Sequence, residues 1–260
     1  MRLTKSAMAF PAFACPCVVA LSLAALARGA GTEDTMDPSA AEVFTALEQR
    51  LLASETVSVE AHLVATGAFQ ADVRQTLELY GDNAGILAID GTFGTAVVTK
   101  RLESDGAELK LRLGAVGSAS AETTADRRVA ELTDEAGEPE ELGLSLGPEF
   151  QKAILIGATR MGLLHNVAIL TQNGAPDHQN GGVDTWVITN GFRWAGELQE
   201  GERLLRAVEF ELEVAGTPSG SATLWLDAES WLPVKRTQTV NFPSGRMDVV
   251  ETYESLVVTP

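Results

Sequence analysis

The sequence predicts a mainly β chain with helices, of the α+β class, built on an antiparallel sheet. Short runs of period-two hydrophobicity recur between turn signals along most of the chain. Helical periodicity is confined to a stretch before the first of these runs and a longer one at 148–170. An apolar content of 45% supplies a core, so the chain as a whole is not disordered.

Residues 1–27 read as a signal peptide. Arg2 and Lys5 open it, an apolar run follows from Ala7 to Leu26, and Ala25-Leu26-Ala27 is a small-residue cleavage site. The rival readings are a membrane anchor and a lipid-modified Cys15 or Cys17. Pro11 and Pro16 interrupt the run, which is short for a span, and Ala12-Phe13-Ala14 matches a lipidation box poorly. The expected product is periplasmic or secreted, with no stable transmembrane anchor. Its two cysteines leave with the leader, so disulfides, thiolate metal sites and cysteine nucleophiles are not expected. Loss of Arg2 and Lys5 takes the formal charge from −17 to −19. Such a chain repels nucleic acid and anionic membrane surfaces, and its charge favours a monomer.

Residues 28–36 are small and polar, a flexible linker, and 37–260 are of single-domain length. Asp37-Pro38 reads as N-cap and first helical residue, with Val43, Leu47 and Leu51 on one face of a helix ending near Ser54. From Thr56 the period becomes two. Val57, Val59, Ala61, Leu63 and Ala65 alternate up to Gly67. Val73, Gln75, Leu77 and Leu79 alternate with Asp72, Arg74, Thr76 and Glu78, and Gly81-Asp82-Asn83 is a turn. Runs at 85–93, 95–103 and 107–113 complete an antiparallel meander.

Residues 117–147 break the pattern, with a short helix expected around 123–133. Glu138, Glu140 and Glu141 read as a solvated run. Residues 148–170 form the most apolar stretch after the leader. Phe150, Ile154, Leu155, Met161, Leu164 and Val167 fit a helix apolar over much of its circumference, which Gly157 and Gly162 kink or split. Residues 172–182 are a loop by composition. Strands return at 185–189, 192–194, 208–214, 222–227, 233–242 and 246–258. The clearest has Val208, Phe210, Leu212 and Val214 alternating with Glu209, Glu211 and Glu213, one face buried and one in water.

The last third carries a pattern of its own. Strand 222–227 ends in Asp227. A Ser230-Trp231-Leu232-Pro233 turn follows, Val234-Lys235-Arg236 opens the next strand, and Gly245 precedes a last strand holding Tyr253. This resembles the closing strands of the LolA/LolB-like superfamily of exported half-barrels, most clearly over 222–256. The resemblance implies that 37–260 are a single LolA/LolB-like domain, an antiparallel sheet curled into a half-barrel. The N-terminal helix and the helical insertion would cover its concave face. It also implies an apolar small molecule or lipid as ligand (acyl chain, lipid or lipoprotein), or an envelope protein as partner. No functional residue carries over from the family. The expected ligand-contacting set, in cavity or plug, is Phe150, Ile154, Met161, Leu164, Val208, Phe210 and Leu212. The 148–170 helix is either core or a plug that moves to admit lipid. A sensing module whose cavity is filled by its own helix is the alternative.

An enzyme is not expected. Gly143-Leu144-Ser145-Leu146-Gly147 matches the Gly-x-Ser-x-Gly elbow, with Asp177 and His178 downstream, but that elbow needs a parallel sheet around it. A hydrolase using Ser145 is therefore a remote alternative. His62, His165 and His178 show no ligand spacing, so no metal is expected, and no phosphate loop, EF-hand or dinucleotide fingerprint implies a cofactor. Trp186, Trp194, Trp225 and Trp231 read as packing residues.

Overall fold

The computed structural model describes residues 37–113, 150–166 and 183–260. Helix α1 (Ala40–Leu52) leads into five strands: β1 (Thr56–Gly67), β2 (Ala71–Leu79), β3 (Ala84–Phe93), β4 (Ala96–Asp105) and β5 (Leu109–Leu113). Helices α2 (Phe150–Arg160) and α3 (Val183–Trp186) follow. Then come β6 (Val187–Glu200), β7 (Arg203–Val214), β8 (Thr217–Asp227), β9 (Pro233–Phe242) and β10 (Gly245–Thr259).

The ten strands form one curled, open antiparallel sheet in the order β5-β4-β3-β2-β1-β10-β9-β8-β7-β6. It is two meanders joined at a seam, where β1 pairs with β10 from Thr56↔Thr259 to Gly67↔Met247, with a bulge at Glu60/Ala61. Alternation decides which side is buried. Val57, Ala61 and Leu63 of β1, Val73 and Leu77 of β2, and Val208, Phe210 and Leu212 of β7 are buried on the concave side. Glu211 is exposed, with Glu209 and Glu213 at intermediate depth on the same convex face. Helices α1 and α2 cover the concave side and close the core.

Helix α1 corrects the expected cap. Ser39, not Asp37, is the N-cap. Its hydroxyl accepts from the Glu42 N–H, and the Glu42 carboxylate accepts from the Ser39 N–H at 2.8 Å, a reciprocal capping box. The expected strand at 185–189 is also corrected, because 183–186 are helical and β6 begins at Val187. The reason lies in α2, whose Arg160 Nη1 donates to the carbonyls of Asp184 (3.0 Å) and Val187 (2.7 Å). Strand β6 runs on to Glu200 through residues that carry no alternation because they are exposed. The helix expected around 123–133 and the loop at 172–182 lie outside the described residues.

Candidate functional site

The site is the contact between α2 and the concave face. Helix α2 presents Phe150, Ala153, Ile154, Leu155 and Ile156 as buried side chains. Gly157 lies within the helix, and a Cβ there would lie 2.1 Å from the His165 ring, so the helix and the chain after it pack too closely for any larger residue. Gly162 ends the straight part. It has a φ of +68°, and a Cβ would meet the Glu251 carboxylate at 2.3 Å. Residues 163–166 are helical again, and 167–170 lie outside the described residues.

Of the expected contact residues, Phe150, Ile154, Val208, Phe210 and Leu212 are buried in one core, with Met161 and Leu164 packed partly buried against it. None lines the apolar cavity found beside them among the described residues. A cavity of about 30 Å³ lies between Leu155, Ala158 and Leu163 on the helical side, Leu47 and Leu51 of α1, and Val59 on the sheet. It has room for about one water molecule and is walled by apolar side chains. At that size it does not hold an acyl chain.

The polar groups holding α2 come from a row of sheet residues. Arg236 of β9 and Glu251 of β10 are direct cross-strand partners, and both are fully buried. Arg236 Nη1 donates to the Thr159 carbonyl at 2.7 Å and Nη2 to the Arg160 carbonyl, so the guanidinium caps the end of α2. Those carbonyls have no partner within the helix, and a cation there also meets the negative end of the helix dipole. Arg236 Nε donates to Gln238 Oε1 at 2.9 Å. Glu251 Oε1 accepts the Leu163 N–H at 2.5 Å, and its other oxygen accepts from the Tyr253 hydroxyl at 3.2 Å. Burial pushes the Glu251 carboxyl up to about 7, against the opposing pull of Arg236, the Leu163 N–H and the Tyr253 hydroxyl. Burial likewise lowers Arg236, and Tyr253 is raised well above its ordinary value by burial and by Glu251.

A second tie joins the helices. Arg160 makes a two-pronged ion pair with Glu48 of α1, Nε to Oε1 at 2.8 Å and Nη2 to Oε2 at 3.1 Å, with both side chains mostly buried. At the other end Lys152 reaches Asp184 at 3.3 Å, an exposed and weaker contact.

No protein-family model matches the sequence, and no curated protein matches it. Solved structures do. The chain is similar to crystal structures of MucB (11% identity, TM-score 0.38, 85% of this chain and 60% of that one) and of a LolA superfamily protein from Nitrosomonas europaea (9% identity, TM-score 0.32, 86% and 95%). A third is a putative outer membrane lipoprotein-sorting protein domain from Vibrio parahaemolyticus (8% identity, TM-score 0.26, 84% and 93%). The chain thus spans 60% of the length of MucB. No site residue is carried across at these identities.

The residues behind the sequence resemblance form a turn. Asp227 Oδ1 accepts from the backbone N–H groups of Glu229 (3.1 Å) and Ser230 (2.8 Å) and from the Ser230 hydroxyl (2.9 Å), which lowers its pKa. Trp231 sits at φ +57° and, with Trp194, flanks the Arg206 guanidinium, at 5.5 and 4.2 Å from their ring centres. Trp186 packs on His165. His62 lies on β1 against Asp72 at 2.7 Å, while His165 is buried beside α2. Ser145, Asp177 and His178 lie outside the described residues, as do Glu138, Glu140 and Glu141. Among the described residues no cluster of three or more His, Cys, Asp or Glu could hold a metal, and no helix is long and apolar enough to cross a membrane.

Sequence reasoning missed Arg236, Glu251 and Gln238. The signal was phase. Arg236 and Gln238 alternate in step with Val240, and Glu251 and Tyr253 in step with Met247 and Val249, so each falls on the buried face.

Proposed function

We propose that this is an exported cell-envelope protein that binds an apolar chain — an acyl chain, a lipid or the lipid part of a lipoprotein — between α2 and the concave face. One observation carries the reading. The contact of α2 with the sheet is apolar and leaves an apolar cavity, while the hold on the helix comes from directional polar groups at its C-terminal end, chiefly Arg236. Apolar surface exposed under a displaced helix is costly in water. An acyl chain that covers it offsets that cost, so the ligand and the open state stabilise each other. The N-terminal leader supports export, and the sequence pattern of 222–256 supports an apolar ligand.

A second reading has its own observation. The residual space of about 30 Å³ is that of a core filled by its own helices, as expected for an envelope interaction module that carries no ligand. Binding and displacement of a fluorescent fatty-acid probe, alongside thermal melts, separates the two. The carrier reading expects saturable binding, and faster uptake by Leu163→Gln than its loss of stability accounts for. Absence of saturable binding by well-folded protein retires that reading and leaves the interaction module.

A further inference from the structure

Among the described residues Glu251 is the only carboxyl that is fully buried. On its own face of the sheet it is flanked by Leu63 of β1 and Arg236 of β9, its two cross-strand partners. What covers it is one turn of chain. Gly162, at φ +68°, brings the backbone so close that a Cβ there would lie 2.3 and 2.4 Å from the two carboxylate oxygens. The Leu163 N–H donates to Oε1 at 2.5 Å, and the Leu164 N–H also donates to the carboxylate. Only Met161 separates this turn from the last residue of α2, so α2 cannot move far without it. Displacing the helix therefore takes from Glu251 both its cover and two of its donors.

Two protonation states suit two positions of the helix. With α2 in place the carboxyl is out of water, and burial favours the proton against the pull of Arg236, so that Glu251 titrates at about 7. With α2 displaced, the Thr159 and Arg160 carbonyls leave Arg236 Nη1 and Nη2. A guanidinium without acceptors then stands beside its cross-strand carboxyl, and water reaches both. Either partner favours the ionised carboxylate. The other charged or titratable groups near it are few. Tyr253, on the same strand, donates its hydroxyl to Glu251. On the covering side stand Arg160, ion-paired to Glu48 of α1, and His165, whose ring lies against Gly157 and Trp186.

We propose that uptake of the apolar ligand is coupled to release of one proton from Glu251 to solvent, so that the site opens more readily in neutral than in acidic surroundings. The proposal rests on the carrier reading above. Linkage fixes the sign. The closed state holds the proton more tightly than the open one, so the proton stabilises the closed state and opposes the ligand. By reciprocity the ligand, which binds the open state, lowers the affinity for the proton. Affinity for a neutral ligand therefore rises with pH, by at most about tenfold per pH unit for one proton. The rise lies between the ordinary carboxyl value of 4.5 and about 7, and levels off above it.

The test uses a probe that does not itself titrate. Binding of N-phenyl-1-naphthylamine, and its displacement by 1-palmitoylglycerol, are measured from about pH 5.5 to about pH 8, with circular dichroism to verify the fold at each step. Wild type is expected to bind both about tenfold or more tightly at the upper end. Glu251→Gln, which cannot release a proton, is expected to bind at every pH near the weaker, low-pH value of wild type. Calorimetry of wild type at about pH 6 in two buffers of different ionisation enthalpy counts the protons directly, and carries the test should the variant fail to fold. Close to one proton released per ligand is expected. Saturable binding that is flat with pH, or that weakens as pH rises, overturns this proposal alone. So does a pH dependence that survives in Glu251→Gln, which would belong to another group such as His165, and so does a count of no protons. Failure of wild type to bind either molecule at any pH overturns the proposal together with the carrier reading.

Discussion

Helix α1 packs on the sheet through rings, while α2 adds a guanidinium and a carboxyl to its apolar contacts. Phe44 of α1 sits 4.9 Å from both Phe192 of β6 and Phe210 of β7, and those two rings are 5.4 Å apart. Such packing is broad, insensitive to pH and lost only gradually with displacement. The polar grip on α2 is concentrated at one helix end and depends on direction and charge. One face therefore carries a helix packed through rings and a helix whose C-terminal end is held by polar groups. Phe210 belongs to both sets, because the Arg236 guanidinium lies 5.4 Å from its ring centre.

Loss of a ring should cost most. Phe44→Ala removes a nearly fully buried aromatic and should destabilise the fold by about 3–5 kcal/mol in urea melts. The comparison breaks if the loss is below about 1 kcal/mol, as for a surface change. Arg236→Met comes next. It leaves the Thr159 and Arg160 carbonyls without their donor, a loss of about 2–4 kcal/mol. Hydrogen exchange should then quicken along 150–160 well before α1. Equal quickening in both helices would mean that they are held as one unit.

The carboxyl gives the third outcome. Glu251 titrates at about 7 in the fold, above its ordinary 4.5, so the native state binds its proton more tightly than the unfolded chain does. The stability linked to that proton is fully present below about 4.5 and is lost as pH rises to about 7. Glu251→Gln keeps an acceptor for the Leu163 N–H and carries no charge. Relative to wild type it should gain on the order of 2–3 kcal/mol between pH 4.5 and 8. The difference between the two melts isolates this group from the other carboxylates. A difference that is flat with pH would show that Arg236 neutralises the carboxylate fully. The smallest effect belongs to the convex side, where Glu211→Ala should stay within about 0.5 kcal/mol.

Much of this architecture is legible in the sequence because alternation is a local signal. Val208, Phe210 and Leu212 declare their buried face against Glu209 and Glu211 without help from the rest of the chain. The 148–170 stretch declares itself by its lack of charge, and Gly162 divides it as its φ requires. The missing parts depend on tertiary partners. Ser39 outcompetes Asp37 because Glu42 completes its box. Residues 183–186 turn helical under the hand of Arg160. Arg236 follows Lys235 at the opening of a basic strand, and its pairing with Glu251 and the end of α2 makes it an interior residue. Polar residues in an apolar phase, Gln75 among them, are where a single strand's pattern stops being informative.

The seam has a consequence for how the molecule comes into being. Each meander assembles from neighbouring hairpins, but β1 meets β10 only when Val57 finds Val258. Closing so distant a pair loses much chain entropy before any contact rewards it, so seam closure is expected to be the slow step of folding. Until then β1 and β10 are open, valine-bearing edges able to pair with other copies. Arg236 and Glu251 lie together on the β10 side of that seam. Their burial beneath α2 belongs to the late part of the pathway, so a partly folded chain keeps both charges in water and lacks the grip on its second helix.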